Sequence, residues 1–253
     1  MTDLHRAKAR AFHALHRNGS VLALANAWDV ASARLIEQEG GHAVATTSAG
    51  VAWSLGAVDG DLSARDRALD LTARVVAAVD VPVTADIEGG FGRDPDGVVE
   101  TVLGVLAAGA VGVDIEDACH AAPTPLRPVA EQAARIAAAR VAADNAGVAL
   151  FVNARIDTFL GRVGEPVDRL ADTLARAAAY LAAGADGIFV PGVTDRQTIS
   201  ALAAGIAAPL HILAGPQASD LAELAALGVA RVSVGATMIG LPRIPGQKLA
   251  TPH

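Results

Sequence analysis

Two hydrophobic periods alternate along this chain. Short apolar runs at 21–25, 43–47, 81–85, 111–115, 150–154, 187–190, 211–214 and 231–234 have the length and composition of buried strands. Between them, residues 29–39, 62–78, 94–108, 128–145, 167–183, 195–204 and 219–227 carry apolar positions at helical spacing. Four junctions share one grammar. Glu39-Gly-Gly-His-Ala-Val, Ala108-Gly-Ala-Val-Gly-Val, Ala183-Gly-Ala-Asp-Gly-Ile and Leu227-Gly-Val-Ala-Arg-Val each place a glycine where a helix C-cap needs a left-handed residue, directly before a strand. Asp94-Pro95 and Arg127-Pro128 read as helix starts, and Ser219 as an N-cap. Repeated strand–helix alternation implies right-handed parallel βαβ units, and eight of them make a (β/α)8 barrel. The alternative, a doubly wound open sheet, calls for a glycine fingerprint after the first strand, and Ala25-Asn-Ala-Trp-Asp-Val30 is not one.

The ends of the chain modify this plan. Residues 1–18 read as an amphipathic helix with Leu4, Ala7, Ala11, Phe12 and Leu15 on one side, stopped by Asn18-Gly19 and expected to cap the barrel floor. After the eighth strand, residues 236–253 carry Pro242, Pro245, Gly246 and Pro252, which do not permit a long helix. The expected architecture is a TIM barrel with an N-terminal helix and an atypical, incomplete C-terminal closing unit.

Composition narrows the function classes. At 253 residues the chain has the size of one barrel and no linker divides it, so 1–253 reads as a single domain. Aromatics are 3% against 52% hydrophobic residues, so the core is expected to be built of Ala, Val, Leu and Ile. A net charge of -7, without clusters of Lys, Arg and aromatics, argues against nucleic acid. The sole cysteine, Cys119, excludes an intrachain disulfide. No apolar span of about 20 residues and no apolar signal core are present, so a soluble cytoplasmic protein with no membrane partner is expected.

Chemistry concentrates at the strand C-termini, where the loops of a parallel barrel converge. Asp86 and Glu88 flank Ile87 at the end of the third predicted strand, and alternation sends both carboxylates the same way; Glu116 and Asp117 end the fourth. Such a cluster repels itself unless protonated, bridged or paired. With oxygen donors only, Mg²⁺ (or Mn²⁺) suits it better than Zn²⁺. Salt bridges across the mouth are the other reading. Arg155, at the end of the fifth strand, can hold a carboxylate or phosphonate in a bidentate fork, or pair with Asp157 or Glu116. Thr47 and Ser48 can offer hydroxyls and backbone N–H groups to an anion. Cys119-His120 reads as an unpaired thiol in a loop rather than a dyad, and the remaining histidines as surface or packing residues.

Five strings, Asn26-Ala-Trp-Asp29, Thr46-Thr-Ser-Ala-Gly50 with Ser54-Leu-Gly56, Ala85-Asp-Ile-Glu-Gly-Gly-Phe-Gly92, Val113-Asp-Ile-Glu-Asp117 and Asn153-Ala-Arg-Ile-Asp157, together resemble the isocitrate lyase/phosphoenolpyruvate mutase superfamily. The resemblance implies a (β/α)8 barrel and Mg²⁺-dependent lyase, hydrolase or mutase chemistry. The bond cleaved or formed is C–C or P–C, beside a 2-oxo acid, through a metal-stabilised enolate. By matching motif it implies Asp86 as closest metal ligand, with Asp59, Glu88 and Glu116 holding its waters. Arg155 would bind a substrate carboxylate, Thr47, Ser48 and Ala49 would supply backbone contacts, and 117–128 would form a gate. The expected substrate is a small anionic 2-oxo acid or phosphonate. The lyases of the superfamily carry Lys-Lys/Arg-Cys-Gly-His in that gate. Here the stretch is Ala118-Cys-His-Ala-Ala-Pro-Thr-Pro-Leu-Arg127, without the basic pair or the glycine, and also without the Lys and Asn of the mutases. A homo-oligomer is expected, although the missing closing helix departs from the helix-swapped assembly of the superfamily. Two further readings stay open. One is a phosphate-binding barrel using Ala214-Gly-Pro216 and Val234-Gly-Ala-Thr237; the other is a binding protein with a vestigial site.

Overall fold

A computed structural model of the protein describes residues 1–17, 19–54, 56, 65–119, 125–215 and 220–235. Its strands are β1 (Leu22–Leu24), β2 (Asn26–Ala27), β3 (Val44–Thr46), β4 (Val83–Asp86), β5 (Gly112–Glu116), β6 (Phe151–Arg155), β7 (Gly187–Val190), β8 (Leu210–Leu213) and β9 (Arg231–Ser233). They form one parallel sheet in the order β1-β9-β8-β7-β6-β5-β4-β3-β2. Only Ala25 separates β1 from β2. The first of these pairs with β9 and the second with β3, so the run 22–27 joins both ends of the sheet and closes the ring. The eight expected strands are therefore present as a TIM barrel whose first strand is split.

The helices are α1 (Asp3–Leu15), α2 (Val30–Gln38), α3 (Ser48–Ser54), α4 (Arg65–Ala78), α5 (Pro95–Ala108), α6 (Val129–Asn145), α7 (Arg169–Ala182), α8 (Arg196–Gly205) and α9 (Leu221–Ala226). Local chemistry sets their ends. Asp94 caps α5 by accepting the Gly97 N–H, Pro95 occupies the first turn, and Gly109 ends the helix at φ 90°. Gly40, Gly184 and Gly228 take the same left-handed conformation, as the repeated junctions predict. Two expectations change. The N-cap of α9 is Asp220, which accepts from Glu223 N–H, while Ser219 lies outside the described residues. The short helix α3 has no counterpart in the sequence reading, because seven residues are too few to show a period. The closing unit expected to be incomplete, 236–253, lies outside the described residues.

Helix α1 does cover the floor, but with a different face. His5, Ala9 and Phe12 are buried, whereas Leu4 is 67% exposed. Hydrogen bonding explains the difference. His5 Nε2 meets Ala110 O at 2.9 Å, His16 Nδ1 meets Phe12 O at 2.8 Å, and His16 stacks on Phe151 at 4.0 Å, so each imidazole has one bonded nitrogen at the floor.

The apolar core lies between the sheet and its helices. Val113, Ile115, Val152, Ala154, Ile188 and Val190 pack there with helix residues such as Val102, Ile136, Ala139 and Leu202. Each fully buried aliphatic of this kind contributes about 1.5–3 kcal/mol. Alternation sends their strand neighbours into the barrel, where polar Asp114, Glu116, Asn153 and Arg155 stand among Gly112, Phe151 and Phe189. Asp114 is level with Asn153, and His211 with Arg231. The expected Ala/Val/Leu/Ile filling thus describes the outer layer, while the barrel interior combines a hydrogen-bonded network with the rings of Phe151 and Phe189.

Candidate active site

Asp86 ends β4 at the barrel mouth. Its Oδ2 accepts the Ser48 N–H at 3.0 Å and its Oδ1 the Glu88 N–H at 3.0 Å, so the start of α3 is fastened to this carboxylate. Thr47 is buried beside it, and Ser48 and Ala49 are half-buried. Asp86 and Glu88 line one small cavity together with Thr46, Ser48, Thr72 and Phe91. The two acids do share a site, but alternation is not the reason. The strand stops at Asp86, and Glu88 is reached through a turn in which it adopts φ 49°, a left-handed conformation rare for a side-chain-bearing residue. A wider apolar groove of about 1190 Å³ runs along the outside of β1 and α2, with none of Asp86, Glu88 or Arg155 in its lining, so size alone does not mark the site.

Across the mouth, Arg155 is engaged twice. Its Nε and Nη2 donate to the two oxygens of Asp157 at 2.6 and 2.8 Å, and Nη1 lies 2.8 Å from Glu116 Oε2. The pairing weighed in the sequence is therefore what the structure contains, with both acids at once. Of the five N–H groups of a guanidinium, one on each terminal nitrogen has no partner among the described residues. Burial opposes the charge of Arg155, but Glu116, Asp157 and Asp86 outweigh it and hold its pKa above the ordinary value. Glu116 and Asp117 do not act together. Asp117 turns away from the mouth and accepts the Asp157 N–H, the Tyr180 hydroxyl at 2.9 Å and Arg176 Nη1 at 3.1 Å, anchoring the gate base to α7.

Below the mouth lies a buried layer that the sequence reading missed. Asp114 accepts from Asn153 and from Arg231 Nη2 at 2.8 Å; His211 contacts Asn153 and, at 2.7 Å, Ser233, and stacks on Phe189 at 3.7 Å. The signal was available: in Gly112-Val-Asp-Ile-Glu116 the residues that alternate with Glu116 are Asp114 and Gly112. Burial pushes the Asp114 carboxyl up and the Arg231 guanidinium down, against their mutual attraction, and nearby Asp86 raises Asp114 further.

Residues 12–241 match the family model of phosphoenolpyruvate phosphomutase. The chain belongs to that family. An uncharacterised protein of Mycobacterium tuberculosis is 38% identical over 224 residues, 88% of this chain and 81% of that one. An oxaloacetate decarboxylase of Pseudomonas savastanoi pv. phaseolicola is 29% identical over 89% of this chain and 77% of its own length. Among solved structures, a proposed phosphonomutase of Burkholderia cenocepacia has 44% identity and a TM-score of 0.87 over 93% of this chain and 94% of that one. A phosphonopyruvate hydrolase in complex with oxalate and Mg²⁺ has 27% identity and a TM-score of 0.81 over 92% and 81%.

In this phosphomutase-family chain the segment expected to form a gate is tied at its base. Arg127 N–H donates to Asp117 O at 2.8 Å, Cys119 N–H to Pro125 O at 2.9 Å, and Arg127 Nη1 lies 3.4 Å from the Cys119 thiol. Cys119 is half-buried; His120, like the predicted metal-shell residue Asp59, lies outside the described residues. At the end of the last strand, the N–H groups of Val234 and Gly235 donate to Asn26 Oδ1 at 3.2 and 2.8 Å. Those two amides are occupied rather than offered to a phosphate, which removes one support of the phosphate-barrel reading. Among the described residues no helix is long and apolar enough to cross a membrane.

Proposed function

We propose that this chain is an Mg²⁺-dependent lyase, hydrolase or mutase of the family, acting on a C–C or P–C bond beside a 2-oxo acid. The observation that carries the reading is the union of Asp86 and Glu88 on one cavity with the start of α3, across the mouth from Arg155. Electrostatics supports a divalent ion here. The mouth and the layer beneath hold the carboxyls of Asp86, Glu88, Asp114, Glu116 and Asp157 against the guanidiniums of Arg155 and Arg231. Among the described residues no three His, Cys, Asp or Glu side chains enclose an ion by themselves. Mg²⁺ asks for fewer, since it keeps several waters and takes one or two carboxylates.

Asp86 would hold the ion directly, and Glu88, Glu116 and Asp59 would hold its waters. When bound, the ion supplies positive charge to the oxygen where negative charge develops during bond cleavage. The chain's own contribution is orientation. The two remaining N–H groups of Arg155 grip a substrate carboxylate, and the backbone at Thr47 and Ala49 with the Ser48 hydroxyl contacts the other end, the Ser48 N–H being committed to Asp86, so that both ends are fixed before reaction. The gate sequence argues against a lyase that uses Cys119 as proton donor, and, lacking the Lys and Asn of the mutases, it does not single out mutase chemistry either.

The test is a panel of oxaloacetate, isocitrate, methylisocitrate, phosphonopyruvate and phosphoenolpyruvate, each with Mg²⁺ and with chelator. Calorimetric Mg²⁺ titration of the wild type and Asp86→Ala accompanies it. Pyruvate or another 2-oxo acid is expected with Mg²⁺ alone, with ion binding lost in the variant. Equal Mg²⁺ affinity in the two proteins would end the metal assignment, and inactivity across the panel would favour a binding protein.

A further inference from the structure

The turn carrying Glu88 is gripped from behind by two guanidiniums. Arg135, on α6, is 1% exposed and donates four hydrogen bonds to the turn's carbonyls. Nη1 reaches Gly89 O and Gly92 O at 3.0 Å each, and Nη2 reaches Gly92 O at 2.9 Å and Arg93 O at 2.6 Å. Thr101 Oγ1 takes the intervening Gly90 O at 2.8 Å. Arg127 lies against the same turn so closely that a Cβ on Gly89 would stand 2.7 Å from its Nη2. On the pocket side, Glu88 N–H donates to Asp86 Oδ1, and Glu88 O accepts the Glu116 N–H at 2.9 Å.

Two residues of this turn with side chains, Glu88 at φ 49° and Phe91 at φ 52°, sit in the left-handed region. Such a conformation persists only where its surroundings over-determine it. Here the surroundings are specific: with four carbonyls committed to α5 and α6 behind the turn, the peptide planes are fixed and the Glu88 side chain is delivered to the Asp86 cavity. We propose that Arg135 is a positioning residue for Glu88, with Arg127 as a second support that ties the turn to the gate base through Cys119 and Asp117. It touches neither the pocket nor a substrate, and acts by setting where the Glu88 carboxylate stands. This inference rests on the assignment of Asp86 and Glu88 to a metal site.

Arg135→Lys and Arg135→Met are compared with the wild type by hydrogen exchange of the metal-free proteins and by Mn²⁺ titration followed by electron paramagnetic resonance. Lysine keeps a cation of similar reach but not the planar fork. Exchange should accelerate in 87–93 and remain unchanged in 151–155 and 187–190, and Mn²⁺ Kd should rise about 10–100-fold, less in the Lys variant than in the Met variant. Should the Met variant fail to fold, the Lys variant decides by the same local comparison. Unchanged exchange in 87–93, acceleration shared equally by the distant strands, or an unchanged Mn²⁺ Kd in either folded variant would overturn the proposal. Wild-type Mn²⁺ binding that is absent, or insensitive to Asp86→Ala, would instead remove the metal assignment on which it rests.

Discussion

Replacing Arg155 by lysine separates binding from charge balance. The guanidinium serves Asp157 through a two-bond fork and Glu116 through a third contact, and both acids are buried, at 5% and 3% exposure. An ammonium can face one of these carboxylates well, so at least one charge-assisted contact is lost, worth about 1.5–3 kcal/mol. For a chain of this length that lowers Tm by about 3–12 °C. Substrate binding should suffer separately, because the pair of N–H groups left on the terminal nitrogens disappears. Losing one charge-assisted bond to the ligand weakens it by about tenfold to a hundredfold. The assay is calorimetric titration of oxalate, a small dicarboxylate, with saturating Mg²⁺, alongside thermal melts of both proteins. Wild-type oxalate affinity in Arg155→Lys together with a lowered Tm would refute the binding role and leave Arg155 as the internal counter-ion of Glu116 and Asp157.

Cys119→Ser should cost less than about tenfold in turnover on whichever substrate the panel identifies, since its thiol contacts Arg127 and its loop lacks the lyase sequence; a loss of the general-acid size, about 10²–10⁴-fold, with Mg²⁺ binding intact would restore a lyase with Cys119 as proton donor. Stability should fall as pH drops below 6.5. Burial, aided by Arg231, holds His16 down to about 3 and His211 well below its usual range, so both are neutral when folded, while the unfolded chain takes up protons near 6.5. Each histidine withdraws about 1.4 kcal/mol per pH unit below that point, hence about 2 kcal/mol each at pH 5. Urea unfolding at pH 7.5 and 5 checks this, and a wild-type loss no larger than that of His16→Gln would contradict it.

The fold was legible where physics is local. Helix α5 shows this best, because Asp94, Pro95 and Gly109 fix both its ends within the chain. What was illegible depended on distant partners. Histidines 5 and 16 could be read only as surface or packing residues, because their burial depends on bonds to the carbonyls of Ala110 and Phe12. Glu88 was placed beside Asp86 for the wrong reason, since its left-handed turn depends on Arg135, 47 positions later, and no period announces that. Asp114 was missed although strand alternation pointed to it, because attention fell on the last residues of each strand. Pairing of Arg155 with Asp157 or Glu116 was foreseen as an alternative to ligand binding, whereas the structure engages both acids at once, which a sequence cannot show because the geometry of the strand ends decides it.

The split in the first strand has a consequence for how the chain is made. Leu22 waits for Arg231, and Asn26 is bonded to the backbone of Val234 and Gly235, 208 and 209 positions away. The ring therefore cannot shut until Arg231 to Gly235 have left the ribosome. Contacts this distant in sequence are slow to form. Until then, β2 to β8 can assemble only as an open curved sheet with two unpaired borders, the part of a nascent barrel most exposed to pairing with a neighbour. Asn26 is thus the latch of synthesis as well as of structure, and the newborn protein spends its most vulnerable interval waiting for one amide to find the far end of the chain.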